Sequence, residues 1–355
     1  MHRRDAIKTL LALAAGSRAT AQARRSVSTF IGTGVAGYSD QQINDPYGII
    51  TGPDGAIYFC DLGNQRIRKI DPKTRVMVTI AGNGKRGYAG DGGAATDASL
   101  NMPHEIDFDA NGHLYIAERD SHVIRRVDAK SRVISTFAGT GAAGFSGDGG
   151  PASAAQLRQP HSIAIDPARQ FLFICDIGNH RIRRVDLATG VIDTFAGTGE
   201  RVPTPDGAPI KGTPLNGPRT MVFDAEGNLW LALREGNAIY SIERRSQTIR
   251  HIAGTGQSGY AGDGGPARAA TLAGPKGLAW FRDVLYIADT ENHVIREIDV
   301  KTGIIRTALG TGTRGDGPES DPARCALARP HGLMVDARGV LYVADSETHR
   351  IRTLQ

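Results

Sequence analysis

Six residues recur one place after a proline that itself returns every 55 to 58 positions: Tyr47, His104, His161, Arg219, Lys276 and His331. Imidazoles, cations and a phenol at equivalent positions are the side chains that ligate, polarise or move protons. His104, His161 and His331, with a fourth position left open, would suit one divalent metal, zinc before others. A metal-bound water would then carry the chemistry, with Tyr47 as base and Arg219 or Lys276 holding an anionic substrate. Without a metal, the same six residues form a rim that favours an anionic small molecule, an acidic peptide or an acidic protein face. Ser162 follows His161, but neighbours on a strand point to opposite faces, so Ser-His-Asp chemistry is not expected.

The elements that must position these residues are repeats. Pro46, Pro103, Pro160, Pro218, Pro275 and Pro330 each open a unit holding four short apolar, β-branched or aromatic runs. In the third unit they read HSIAID, FLFICD, RIRRVD and VIDTFAG. Their length and the turn residues between them predict strands. A repeated unit of four short strands is the sequence form of a β-propeller blade. The chain is therefore expected to be all-β, a six-bladed propeller with blades at about 35–82, 83–139, 140–197, 198–254, 255–310 and 311–355. The last unit stops after three runs, while VSTFIGTG near the N-terminus matches a fourth run, so strand 27–31 is expected to close the last blade. Strand order then puts the six residues at the mouth of the central channel on the top face. The next positions inward are apolar: Ile49, Ile106, Ile163, Met221, Leu278 and Leu333. Beside the ring, the hairpins between second and third strands present Gln65, His122, His180, Asn237, His293 and His349.

Each blade also carries an acid followed seven residues later by an arginine: Asp61 and Arg68, Glu118 and Arg125, Asp176 and Arg183, Asp289 and Arg296, Asp345 and Arg352. Across a hairpin this spacing predicts structural ion pairs. In the fourth blade the two positions are Leu233 and Tyr240; both members go together, as a mutually satisfied pair requires. The GDGG loops place Asp91, Asp148 and Asp263 before a short helical turn, where they are expected to cap backbone N–H groups. An aromatic in every second strand (Tyr58, Tyr115, Phe173, Trp230, Tyr286, Tyr342) is read as packing between blades. The net charge of +5 arises from arginines that recur beside acids, which argues against nucleic acid as a partner. Cys60 and Cys175 share a repeat position held elsewhere by Ala, and Cys325 lies in a loop, so no disulfide is expected.

Residues 1–23 combine Arg3-Arg4, a short apolar run and Ala21-Gln22-Ala23, and resemble a twin-arginine export signal. The apolar run is too short to span a membrane comfortably. The resemblance implies a signal peptide over 1–23, a mature chain of 24–355 and a place in the bacterial periplasm or beyond. Over Val27 to Gln355 the repeated P-x-G-I-x-x-D-x-x-G-x-L-Y-x-A-D-x-x-N-H-x-I-R pattern resembles the NHL-repeat propellers. That family includes sensor, protein-binding and RNA-binding modules and a few lyases, so the resemblance implies a fold and leaves two functions open. One is a ligand- or protein-binding scaffold working through the channel mouth. The other is a metal-dependent lyase or hydrolase centred on His104, His161 and His331, similar to the peptidyl-hydroxyglycine amidating lyases.

Overall fold

The computed structural model describes residues 25–355; the expected signal peptide lies outside them. Six four-stranded antiparallel sheets follow the repeat. In the second blade the strands are Pro103–Phe108, Leu114–Glu118, Val123–Val127 and Ile134–Ala138, innermost to outermost. In the last blade the order is Pro330–Val335, Leu341–Asp345, Arg350–Leu354 and finally Val27–Ile31 from the N-terminal side. The expected closure is therefore observed. Among the described residues no helix is long and apolar enough to cross a membrane. All three cysteines are free and buried.

The core lies between blades. Tyr58, Cys60 and Ile67 of the first blade pack with Ile106, Leu114 and Ile116 of the second, which a flat sheet with two apolar faces demands. The second-strand aromatics join the same contacts: Tyr58 meets Phe108, Phe173 meets Phe223, and Trp230 stacks on Trp280 across neighbouring blades.

All five expected ion pairs form, at 3.2 Å for Asp61 with Arg68, 3.0 Å for Glu118 with Arg125 and 2.8 Å for Asp345 with Arg352. Asp176 with Arg183 and Asp289 with Arg296 are looser, at 3.7 and 3.6 Å. The GDGG aspartates do something other than cap. The short turns begin at Ala94, Pro151 and Pro266 without any side-chain cap. Asp91, Asp148 and Asp263 instead reach those same arginines, at 2.5, 2.6 and 2.6 Å. Each guanidinium thus sits between two carboxylates, one buried and one near solvent. A charge removed from water needs such company to be tolerated.

Two backbone features shape the axis. In five blades the innermost strand breaks register just after its proline, as between Pro103 and Glu105 or Pro160 and Ser162. In the fifth blade the strand begins only at Gly277. Such bulges re-aim a side chain, and they fall at the residue after the proline in those five blades. The residue before each proline has positive φ: 51° at Asp45, 57° at Met102, 54° at Gln159 and 50° at Arg329, with glycine at 217 and 274. For a non-glycine residue this conformation costs roughly 1–2 kcal/mol.

That strain is held by a clasp from the preceding blade. The N–H of Met102 donates to Gln65 Oε1 at 2.8 Å, that of Gln159 to His122 Nδ1 at 3.1 Å, and that of Gly274 to Asn237 Oδ1 at 2.9 Å. Arg329 donates to His293 Nδ1 and Asp45 to His349 Nδ1, both at 3.1 Å. The hairpin residues beside the ring are therefore inter-blade clasps. The sixth seam lacks one: Gly217 N–H turns back to Leu215 O, and His180 Nδ1 is buried without a partner.

Candidate functional site

The six residues after the prolines do converge, and most of them are buried where an accessible rim was expected. His104, His161, Arg219 and His331 are each at most 5% exposed. Tyr47 stacks on His331 with centroids 4.0 Å apart and meets His104 edge-on at 4.8 Å; His104 in turn meets His161 at 4.9 Å. Four aromatic rings so form a continuous arc, and Arg219 and Lys276 complete the circle. Beneath it lies a cavity of about 430 Å³ toward the lower face, walled by Ile49, Ile106, Ile163, Met221, Leu278 and Leu333. The expected apolar layer is in place.

Hydrogen bonds fix the imidazoles. His104 Nδ1 lies 2.9 Å from Met102 O and His161 Nδ1 2.8 Å from Gln159 O, so each Nδ1 carries the proton. His331 Nδ1 lies 2.8 Å from Ser346 Oγ, whose own hydrogen goes to Pro46 O at 2.6 Å; His331 must therefore donate as well. All three leave Nε2 as an acceptor. Burial pushes each well below the ordinary imidazole range. Arg219 adds to this at His104 and His161, and Lys276 followed by Arg219 at His331. The rings are neutral near pH 7.

The metal centre anticipated from His104, His161 and His331 is not supported by this geometry. Among the described residues no group of three or more His, Cys, Asp or Glu side chains is placed to hold a metal ion. The reason is the order around the ring: the first blade lies between the sixth and the second, so Tyr47 separates His331 from His104. Tyr47 is also no base, since burial, and then Asp45, pushes its hydroxyl up to about 12. Lys276 is engaged: its Nζ lies 2.5 Å from Glu291 Oε1, and burial lowers it to about 8. Arg219 is different. It is 3% exposed, forms no ion pair among the described residues, and leaves Nε without a hydrogen-bond partner. Burial lowers it to about 10, still charged at neutral pH.

One residue of this layer escaped the sequence reading. Glu105 is pushed up to about 8 by burial, while Arg219 pulls it the other way. Its carboxyl covers Gly48 so closely that a Cβ there would come within 2.0 Å of Oε1. The signal was available: the equivalent positions are Gly48, Ser162, Thr220, Gly277 and Gly332, all small.

Comparison with known proteins agrees with the architecture. The model of the NHL repeat matches residues 327–354, and that of the lactonase 7-bladed β-propeller matches residues 106–253. The chain is a six-bladed β-propeller whose residues 327–354 match the NHL repeat. NHL repeat-containing protein 2 of Bos taurus is 26% identical over 329 residues, covering 84% of this propeller and 44% of that protein. The chain thus spans less than half the length of the curated relative it matches. An auxiliary nutrient binding protein from Bacteroides thetaiotaomicron aligns with TM-score 0.69 at 15% identity, covering 94% of this chain and 76% of its own. A catalytically inactive virginiamycin B lyase from Staphylococcus aureus, with quinupristin, aligns with TM-score 0.52 at 14% identity, covering 94% and 99%. At such identities the likeness is one of fold.

Proposed function

We propose that this propeller is a ligand-binding protein whose axial ring takes a small anionic group, with Arg219 as its anchor. The supporting observation is the state of Arg219. The five buried arginines of the blades each lie beside a fully buried carboxylate. Arg219 is as deeply placed and has no carboxylate within ion-pair distance among the described residues; Glu105, the acid that feels its charge, is itself pushed up to about 8 by burial. An unpaired buried charge is costly, and a bound anion would relieve that cost. The Tyr47 hydroxyl, which stays protonated, is a donor in the same ring, and the neutral imidazoles add no competing negative charge. Lys276, tied to Glu291, is not part of the anchor, so one anionic group suffices. We further propose that the chain is exported; a mature N-terminus at Arg24 in the extracytoplasmic fraction would support this, and an intact Met1 there would sink it.

The test is thermal shift and calorimetry with a panel of small carboxylates and inorganic phosphate, on the wild type and on Arg219→Met. The wild type should bind at least one anion, more weakly with added salt. Arg219→Met should lose that response while raising Tm, because a group retained for binding at a cost to stability is being removed. A lower Tm in Arg219→Met, together with no anion response in the wild type, would make Arg219 a structural residue.

A further inference from the structure

The fourth blade lacks the arginine of its siblings and keeps part of that arginine's surroundings. In the second blade the Arg125 guanidinium lies between Glu118 and Asp91, and Asp91 also receives the N–H of Thr136 at 3.0 Å. In the fourth blade the loop aspartate survives as Asp206 and receives the N–H of His251 at 2.8 Å, the equivalent bond. The arginine has become Tyr240 and the hairpin acid Leu233. Thr204 takes over part of the network. Its carbonyl accepts from Tyr240 Oη at 2.7 Å, and its hydroxyl accepts the N–H of Asn216 at 3.3 Å.

What the exchange leaves is a cavity of about 270 Å³ lined by Asp206, Asn216, Leu233, Glu235, Tyr240 and His251, with no lysine or arginine on its wall. Its volume falls just under the usual range for drug-sized ligands and suits a side chain or a compact molecule. Two acceptors belonging to wall residues are buried and unpartnered: Asn216 Oδ1, and Glu235 Oε2, which lies over Gly217. Glu235 Oε1 is engaged by the neighbouring Arg234. Asp206 takes an ion pair from Arg268 of the next blade, a side chain 60% exposed. Buried acceptors without donors are rare in folded proteins and call for an explanation.

We propose that this cleft is a guanidinium-binding site, in which an arginine side chain or a small guanidine from outside lies against Tyr240, beside the place that Arg125, Arg183 and Arg296 fill from within the other blades; the Tyr240 hydroxyl itself takes the loop carbonyl that those arginines reach. The chemistry of the wall favours that group. Turned into the cleft, Asn216 Oδ1 and Glu235 Oε2 would offer two acceptors to a planar fork of donors; Glu235 and Asp206 are the wall's carboxylates, each met by one arginine that an incoming guanidinium would join, and Tyr240 and His251 supply aromatic wall. The site is independent of the axial ring and does not involve Arg219.

The experiment is calorimetry with methylguanidine and with a short peptide containing one arginine, using methylammonium as the control cation. Wild type should bind the guanidinium probes at least about tenfold more tightly than methylammonium, the worth of one added hydrogen bond to a charged group. Leu233→Asp/Tyr240→Arg restores the siblings' internal pair and should abolish binding by filling the cleft. If that variant does not fold, Glu235→Gln serves instead, with an expected loss of about tenfold. Arg219→Met should leave guanidinium binding unchanged. Binding of both probes supports a site for the group itself; binding of the peptide alone supports an arginine presented by a protein partner. The proposal is overturned if neither probe binds, if methylammonium binds equally well, or if binding survives the filled cleft or Glu235→Gln unchanged.

Discussion

The second and fourth blades share a backbone plan and solve the same burial problem in opposite ways. The second places a full positive charge at its centre, Arg125 at 0% exposure, and surrounds it with Glu118 and Asp91. The fourth uses Leu233 and Tyr240, with one neutral hydrogen bond to Thr204. The seams differ too. A side-chain acceptor from the second blade holds the strained Gln159 in the third, whereas between third and fourth blades His180 Nδ1 has no donor and Gly217 needs no support. The buried hairpin acid and its arginine come and go together, and the blade that gave them up is the one whose seam with the third blade lacks a clasp and that opens a cleft.

The sharpest way to break this comparison is Arg125→Met. It leaves Glu118 buried without its cation and should cost about 3–5 kcal/mol in chemical denaturation. Glu118→Leu/Arg125→Tyr, which copies the fourth blade's residues, should recover most of that loss. If the double variant is as unstable as the single one, the uncompensated carboxylate is not the cause.

Acid should act on the clasps. Burial is the main influence that depresses His122, His293 and His349 below the ordinary imidazole value of 6.5, against nearby acids that raise them. Each accepts an N–H at Nδ1 and can do so only when that nitrogen is unprotonated. A depressed folded pKa means that the unfolded chain binds protons first. The clasps' contribution is therefore complete above about pH 6.5 and is lost as pH falls through the folded values. Replacing all three with Asn, the residue Asn237 already uses, should shrink the drop in Tm between neutral and mildly acid pH. An unchanged drop would assign the acid sensitivity to the ring imidazoles instead.

Smaller effects should separate the seams. Tyr240→Phe removes one neutral hydrogen bond and should cost about 1 kcal/mol. His122→Ala removes the acceptor for the N–H of the strained, exposed Gln159 and should cost about 0.5–1.5 kcal/mol, while His180→Ala, whose Nδ1 has no partner, should stay within about 0.5 kcal/mol. Equal losses at His122 and His180 would show that the clasp is not what these positions contribute.

Fold and blade count were readable because the repeat is local: every blade restates its strands, and the missing fourth run pointed to strand 27–31. The pairs Asp61 to Arg68 and Asp345 to Arg352 were readable for the same reason, since a hairpin brings residues seven apart together. The GDGG aspartates were misread because their partners are distant; Asp91 and Arg125 stand 34 positions apart. The burial of the ring residues was not readable, nor were the register shifts beside the prolines of five blades, because spacing reveals neither. The separation of His331 from His104 by Tyr47 was implicit in the circular order of blades, where the sixth adjoins the first. Glu105 was visible as the one acid at a repeat position otherwise held by Gly, Ser or Thr.

The pairing of Val27–Ile31 with Arg350–Leu354 has a consequence for how the chain is made. Of the strands described, the first to leave the ribosome has its partner among the last. At roughly 5–20 residues per second, it waits on the order of tens of seconds with both edges unpaired. During that interval VSTFI is an apolar, β-prone segment open to pairing with another nascent copy. The ring cannot lock blade by blade from the front; it locks only once Arg350–Leu354 has emerged, and a chaperone that shields this segment would have its greatest effect before then.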